Sequence, residues 1–231
     1  IQGGGLRAIL ITGPTSSGKT VTSRKALRYL SEAHPGVRFK PLEVDMYFRD
    51  NRHTEKLYYR VDGKVVEDLN FELPETYDIP LFNEHLSALL VGKTVMVPTY
   101  DFKTGRRTDE TRPFSLAKDE VLLLDCMHAL SPQLTEAIPT GNKFKLYIEA
   151  LTALEERPGR PVFLTDVRLL RRMIRDVRTR GYPIPSTLWH WHLTRKGERF
   201  ILPYVHSADM VIDSGLPYEL PMLKHFLSGQ L

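Results

Sequence analysis

Cysteine occurs once in this 231-residue chain, at Cys126, which excludes an internal disulfide and suits a reducing compartment. No apolar run approaches the roughly 18 residues of a membrane-spanning helix, and no signal-peptide pattern is visible, so the expected location is the cytoplasm, away from membranes. Internal repeats and low-complexity tracts are absent too, which excludes solenoids and disordered linkers. A strong excess of charge is also missing. The 32 Lys and Arg against 28 Asp and Glu leave a net charge of +4, which suits a small anionic ligand and is too mild to argue for nucleic acid. What remains is an ordinary globular composition, 42% hydrophobic, in a chain long enough for one α/β domain with a small appendage.

The most informative segment is Gly13-Pro14-Thr15-Ser16-Ser17-Gly18-Lys19-Thr20, which fits G-x-x-x-x-G-K-[ST]. Binding phosphates through backbone N–H groups needs glycines at Gly13 and Gly18, where a Cβ would block the approach or the required dihedrals. Thr15, Ser16 and Ser17 supply the cradle between them. Lys19 is placed to reach the β- and γ-phosphates, and the Thr20 hydroxyl to ligate the Mg²⁺ that bridges them. The context agrees: Leu6 to Thr12 reads as a buried parallel strand, and Val21 to Ala33 as a helix whose N-terminal dipole faces the phosphates.

Further along, Arg38 to Val44 reads as a strand ending at Asp45, and Ile79 to Leu90 as a helix. Between them lies a polar, aromatic-rich stretch from Tyr47 to Phe71. Thr94 to Val97 is a short strand, and Tyr100 to Arg112 carries the turn chemistry of an exposed hairpin or flap within roughly 94–115. Val121 to Leu124 is a buried strand ending in Asp125, and Phe144 to Ile148 another. Asp166 to Arg180 reads as a basic helix in a lid region of roughly 166–185. Arg199 to Val205 and Met210 to Ile212 precede a final helix, Tyr218 to Leu227. This alternation predicts a P-loop NTPase of the α/β class: a doubly wound, mostly parallel sheet with a small flap and a helical lid, in one kinase-type domain over 1–231.

In such a sheet the ligand lies beyond the carboxyl ends of the strands, where the phosphate loop, Asp45 and Asp125 are expected to converge. Phosphoryl transfer to a hydroxyl needs a carboxylate near the acceptor's proton and a metal bridging the phosphates. Asp45 is the candidate base, with Asp125 acting through Mg²⁺ or its waters. On the basic helix, Arg168, Arg172 and Arg175 fall on one face with Arg171 and Arg178 beside it, and Arg180-Gly181 offers a hinge for a lid over the triphosphate. Trp189-His190-Trp191-His192 follows a helical pattern and reads as packing rather than as a metal site. Cys126 reads as a small buried hydrophobe.

Taken in order, GPTSSGKT, VDMYFRD, NFELPETYDIPLFNEHLSALLVGKTVMVPTYDFKTGRR, VLLLDCMHAL, RLLRRMIRDVRTRG and ADMVID resemble the uridine kinase and phosphoribulokinase family of P-loop kinases, over about Arg7 to Phe226. The resemblance extends to bacterial nucleoside kinases that carry a threonyl-tRNA synthetase-like region upstream, which implies an upstream domain of the same polypeptide and agrees with a start at Ile1. It implies ATP and Mg²⁺ as cofactors, with Asp45 as catalytic aspartate, Thr20 as metal hydroxyl, and Arg172, Arg175 and Arg180 as lid or substrate arginines. Glu72 falls where nucleoside kinases carry an aspartate for ribose hydroxyls, with Tyr77 nearby on the acceptor side. Tyr100 and Phe102 fall on aromatics that hold the base. Three positions depart from the family: Gly105 replaces a base-reading histidine, Asp125-Cys126 replaces Glu-Gly, and Glu72 replaces the aspartate. The implied partner is a small acceptor, with a pyrimidine nucleoside 5′-hydroxyl leading and a sugar or other alcohol as rival. A non-catalytic ATP-binding regulatory module is a further alternative, and homo-oligomerisation stays open.

Overall fold

Ala8–Thr12 (β1) is an unbroken run of five buried residues, the pattern of a strand covered on both faces. In the computed structural model, which describes residues 5–50, 56–61, 63–102 and 104–229, this strand lies at the centre of a five-stranded parallel sheet. On one side it pairs with Glu120–Asp125 (β7), which pairs in turn with Arg38–Pro41 (β2). On the other it pairs with Lys143–Glu149 (β8), which carries Met210–Asp213 (β11). One face of the sheet joins the larger core, where Leu10, Leu122 and Leu124 meet Phe82, Leu86 and Leu89 of helix Ile79–Leu90 (α2). Ile9, Ile11, Leu123 and Ile148 point to the other face, against Leu27 and Leu30 of helix Lys19–Ala33 (α1). The doubly wound α/β architecture expected from the sequence is therefore present.

Among the described residues, three antiparallel hairpins decorate the sheet. Val95–Asp101 (β5) and Arg106–Phe114 (β6) form the expected flap hairpin. The other two were not legible in the sequence: Lys56–Val61 (β3) with Lys64–Leu69 (β4), and Leu154–Arg157 (β9) with Arg160–Val162 (β10). Residues 51–55 and 62 of the polar stretch, and Lys103 of the hairpin, lie outside the described residues.

Two expected boundaries are corrected. The strand read as Arg38 to Val44 ends at Pro41: Leu42 makes one last bond to the Leu123 carbonyl at 3.0 Å, and Pro41, whose missing N–H would face the open edge of the described sheet, costs the ladder nothing. Leu42 and Val44 then turn into the core, and Asp45 lies in a 3₁₀ turn, Val44–Tyr47, rather than at a strand end. The basic helix is α-helical over Leu164–Arg175 (α3) and then widens into a π turn, Asp176–Arg180. Gly181, with φ of 70°, reverses the chain into Ile184–Gly197 (α4), which contains the Trp-His-Trp-His segment as a helix. Glu219–Leu227 (α5) packs against α3 through Leu223 and Leu227. Among the described residues no helix is long and apolar enough to cross a membrane.

Candidate functional site

The phosphate loop is shaped by close approaches that only glycine permits. A Cβ on Gly13 would sit 2.0 Å from the Ile148 carbonyl oxygen, because β8 passes directly against the loop. Gly18 closes the loop with φ of 90°, in the left-handed region, where a Cβ would also press on Ser214 at 3.1 Å. The carbonyls of three consecutive loop residues are latched from outside. Arg168 donates to the Thr15 oxygen at 3.3 Å, Arg171 to that of Ser16 at 3.4 Å, and the Ser214 hydroxyl to that of Ser17. In a trans peptide the N–H points opposite to the carbonyl, so these latches turn the N–H groups of Ser16 and Gly18 to the other side, as a phosphate cradle requires. The Ser16 and Ser17 hydroxyl oxygens are buried with no hydrogen-bond partner. Lys19 folds over the loop and donates to the Gly13 carbonyl at 2.7 Å. These residues fit a nucleotide's phosphates.

Lys19, Asp45 and Asp125 form the charged floor beside the loop. Burial holds the Lys19 ammonium below its usual range, offset by Asp125, Cys126, Asp45 and Glu72. Desolvation by the surrounding protein raises Asp45 above the ordinary carboxylate range although the residue keeps contact with solvent, against the Tyr77 hydroxyl, which donates to its Oδ1 at 3.0 Å, and against Lys19. Asp125 is raised by burial as well, with Lys19 and Arg24 opposing. Two carboxylates disfavoured in their charged form, beside the exposed Thr20 hydroxyl on the first turn of α1, make an oxygen-only donor set suited to Mg²⁺. Among the described residues no group of three His, Cys, Asp or Glu forms a complete cage, so such an ion would complete its coordination with phosphates and water. Burial pushes the Cys126 thiol up to about 12, in keeping with an inert hydrophobe.

Around Tyr77, the partner of Asp45, Phe48 packs on Tyr77 at 4.4 Å and on Phe71 at 5.1 Å, and Tyr100 meets Phe102 at 5.1 Å. Tyr100 is buried in this wall, its hydroxyl without a hydrogen-bond partner, whereas Phe102 is half exposed at the mouth. Glu72 accepts from the Thr194 hydroxyl at 3.2 Å and lies 3.7 Å from Arg172, with its other oxygen buried and unpartnered. Gly197 lets α4 close on it, since a Cβ there would meet the Glu72 Cβ at 2.8 Å. Gly105 occupies the hairpin tip with φ of 66°, a conformation that favours glycine over histidine.

The arginines divide into two groups. Arg168 is buried between Glu149 at 3.0 Å and Glu198 at 2.6 Å, and Arg171 pairs with Glu219, so neither lies on a free lid face. Arg172, Arg175 and Arg180 instead gather around Asp176. Burial, with Arg180 and Arg172 nearby, lowers the Arg175 guanidinium to about 10. A cleft of about 610 Å³ runs along the end of α3 and the π turn, from Arg171 to Arg178, and is walled by Leu216, Tyr218 and Phe226. His190 and His192 each bond a backbone carbonyl of their own helix.

Two site residues escaped the sequence reading. Arg107, inside the quoted KTGRR, fastens the flap hairpin to the Asp45 segment through the Tyr47 and Phe48 carbonyls and Asp78. His128, inside VLLLDCMHAL, is buried against the Glu72 carbonyl at 3.2 Å, and burial lowers it to about 4. A histidine neutral when folded stabilises fully above its unfolded value of 6.5 and loses that contribution as pH falls towards 4. The loss amounts to about 3 kcal/mol at 1.36 kcal/mol per pK unit. Denaturant melts of His128→Asn across pH 7 to 4 are expected to be flatter than those of the native chain; parallel curves would contradict this.

Comparison with known proteins bears on the same residues. The family model for the phosphoribulokinase / uridine kinase family matches residues 8–219. The uridine kinase of Borrelia turicatae (strain 91E135) is 29% identical over 212 residues, covering 91% of this chain and 87% of that protein. The uridine kinase of Clostridium perfringens (strain SM101 / Type A) is 27% identical over 207 residues, covering 89% and 86%. Among solved structures, a "possible uridine kinase" from Bacillus stearothermophilus aligns with a TM-score of 0.50 at 16% identity, over 90% of this chain and 89% of that one, a likeness of fold. These matches lie on the kinase region and give no support to the expected threonyl-tRNA synthetase-like segment.

Proposed function

We propose that this chain, which belongs to the phosphoribulokinase / uridine kinase family, is an ATP- and Mg²⁺-dependent kinase that phosphorylates a hydroxyl of a small polar acceptor. The leading acceptor is the 5′-hydroxyl of a pyrimidine nucleoside. The observation that carries this reading is Asp45: a solvent-accessible carboxylate oriented by the Tyr77 hydroxyl and set beside the phosphate-loop lysine, in surroundings that raise it above its usual range. In this reading Asp45 accepts the acceptor's proton as its oxygen bonds to the γ-phosphorus and the bond to the ADP oxygen breaks. Lys19 leaves the Gly13 carbonyl for the phosphates, and Arg172, Arg175 and Arg180 stabilise the charge in transfer. Thr20, Asp45 and Asp125 would hold a Mg²⁺ ion, which would supply charge neutralisation at the phosphates. Glu72, Tyr77, Tyr100 and Phe102 hold the acceptor. The cleft beside Arg171 and Tyr218 adjoins the loop and takes the adenine.

A sugar or other alcohol is the second reading, and Gly105 favours it. The flap has no histidine at that tip to read a pyrimidine edge, and its backbone conformation resists one. Incubation with MgATP and a panel of nucleosides, sugars and polyols tests both. Accelerated ADP release with a pyrimidine nucleoside supports the first, acceleration with sugars or polyols alone supports the second, and no acceleration with any acceptor contradicts both.

A further inference from the structure

The arginines of α3 are unequally neutralised. Arg168 has Glu149 and Glu198, and Arg171 has Glu219, each within 3.0 Å. Arg172, Arg175 and Arg180 share Asp176, with nitrogen-to-oxygen distances of 3.3, 3.6 and 3.3 Å. The additional carboxylate found beside them, Glu72, reaches Arg172 alone at 3.7 Å. The Asp176 carboxylate is itself 2% exposed and accepts a further bond from the Thr187 hydroxyl of α4 at 3.1 Å. It also opens the π turn, and such turns inserted in α-helices recur at functional sites. The knot is open to solvent on one side, with the Arg172 side chain 13% exposed, Arg175 35% and Arg180 47%, so an anion can reach it. It keeps an excess of guanidinium, and the Arg175 Nε is buried without a hydrogen bond. The excess calls for an anion.

We propose that Asp176 is a positioning residue that holds Arg172, Arg175 and Arg180 as a convergent anion-binding fork and yields them in part to the nucleotide's phosphates. This rests on the kinase reading of those arginines. Before binding, the carboxylate competes with the phosphates for the guanidinium groups. On binding, it keeps their stems aligned while their free N–H groups turn to the transferring charge. The competition weakens ground-state anion binding, whereas the alignment serves transfer, so removing the charge moves the two in opposite directions.

The experiment compares the native chain with Asp176→Asn, using inorganic tripolyphosphate as the binding probe and steady-state turnover with MgATP and the acceptor found in the panel. Asp176→Asn is expected to bind tripolyphosphate about three- to tenfold more tightly and to turn over at least about tenfold more slowly. A merely structural role lowers both together, and that result overturns the proposal, as does unchanged tripolyphosphate affinity. Should Asp176→Asn not fold, Asp176→Glu keeps the charge but displaces it by one methylene. It is expected to bind tripolyphosphate as the native chain does while losing turnover, and native turnover in Asp176→Glu overturns the proposal. Arg172→Ala and Arg175→Ala separate the two levels. If both keep native turnover, the kinase reading of the arginines falls; if both lose turnover while the Asp176 variants do not, only the role of Asp176 falls.

Discussion

Asp45→Asn is expected to lower phosphoryl transfer by about 10²- to 10⁴-fold, the usual weight of a general base, while affinity for ATP measured without Mg²⁺ stays within about threefold. The asparagine keeps the shape of the side chain and a partner for the Tyr77 hydroxyl but cannot take a proton. The phosphate loop is latched by Arg168, Arg171 and Ser214, none of which depends on Asp45. The pH profile carries a second signature. A base must be deprotonated, and desolvation raises Asp45 above its ordinary value of 3.8, so the acidic limb of the rate profile is expected at higher pH than a free aspartate would give. Tyr77→Phe removes a hydrogen bond to the charged form, raises the carboxyl further and moves that limb higher still. The Asp45→Asn residual rate should lack the limb. A variant that loses ATP binding together with transfer, or a Tyr77→Phe limb that moves downward, would contradict the assignment.

Arg168→Leu is expected to be the most damaging substitution for stability, although the side chain lies outside the proposed chemistry. Its guanidinium is 2% exposed and joins Glu149, at the end of β8, to Glu198, just past α4. Removing it leaves two carboxylates buried and uncompensated, a loss of about 3–5 kcal/mol. At about 2–4 °C per kcal/mol for a domain of this size, the midpoint of thermal unfolding falls by roughly 6–20 °C. Adding Glu149→Gln and Glu198→Gln to Arg168→Leu should recover most of the loss, because the cost lies in unpaired charge and not in the absence of attraction. The same arginine holds the Thr15 carbonyl, so nucleotide affinity is expected to weaken in the single variant even at temperatures where it remains folded. A shift of under about 2 °C would show the pairs to be dispensable.

The contrast between these residues shows what the sequence could and could not disclose. The phosphate loop is legible because its chemistry is local: eight consecutive residues, a strand before them and a helix after. β7, β8, α2, α5 and the flap hairpin are legible for the same reason, through apolar runs or turn residues. Arg168 is not. Within α3 it looks like one member of a solvated basic face, and only the distant Glu149 and Glu198 convert it into a core residue. Arg171 is removed from that face in the same way by Glu219. The apolar pattern continues to Val44 and predicts a strand end at Asp45, whereas the chain leaves the sheet after Leu42 and coils into the turn Val44–Tyr47. Arg107 reads as a surface arginine of a hairpin until Tyr47, Phe48 and Asp78 are brought to it by the fold. His128 carries no sequence signal beyond its place after Asp125, and its burial depends on Glu72, 56 residues away. β3 and β4 carry their apolar residues next to one another in sequence, as in Tyr58-Tyr59 and Val65-Val66, and β9–β10 is short and mostly polar, so neither hairpin announces itself by an apolar alternation.

The acceptor side follows different constraints from the phosphate side. Gly13 is fixed by the close approach of the Ile148 carbonyl, Gly18 by its left-handed backbone, and Lys19 by its bond to the Gly13 carbonyl. Glu72 and Gly105 belong instead to a wall of aromatic rings and a hairpin tip that can change its reading without disturbing the sheet. Specificity is therefore expected to lie in Glu72, Tyr100, Phe102 and the flap, and catalytic competence in the loop, Asp45 and the arginine fork.

The most direct measurement of the central claim is a single-turnover experiment with ATP labelled on its γ-phosphate, Mg²⁺ and the panel of hydroxyl acceptors. The label is expected to appear as a phosphate ester of one acceptor, with Asp45→Asn leaving it on ATP under matched nucleotide occupancy. Label that stays on ATP with every acceptor, or passes only to inorganic phosphate, would contradict it.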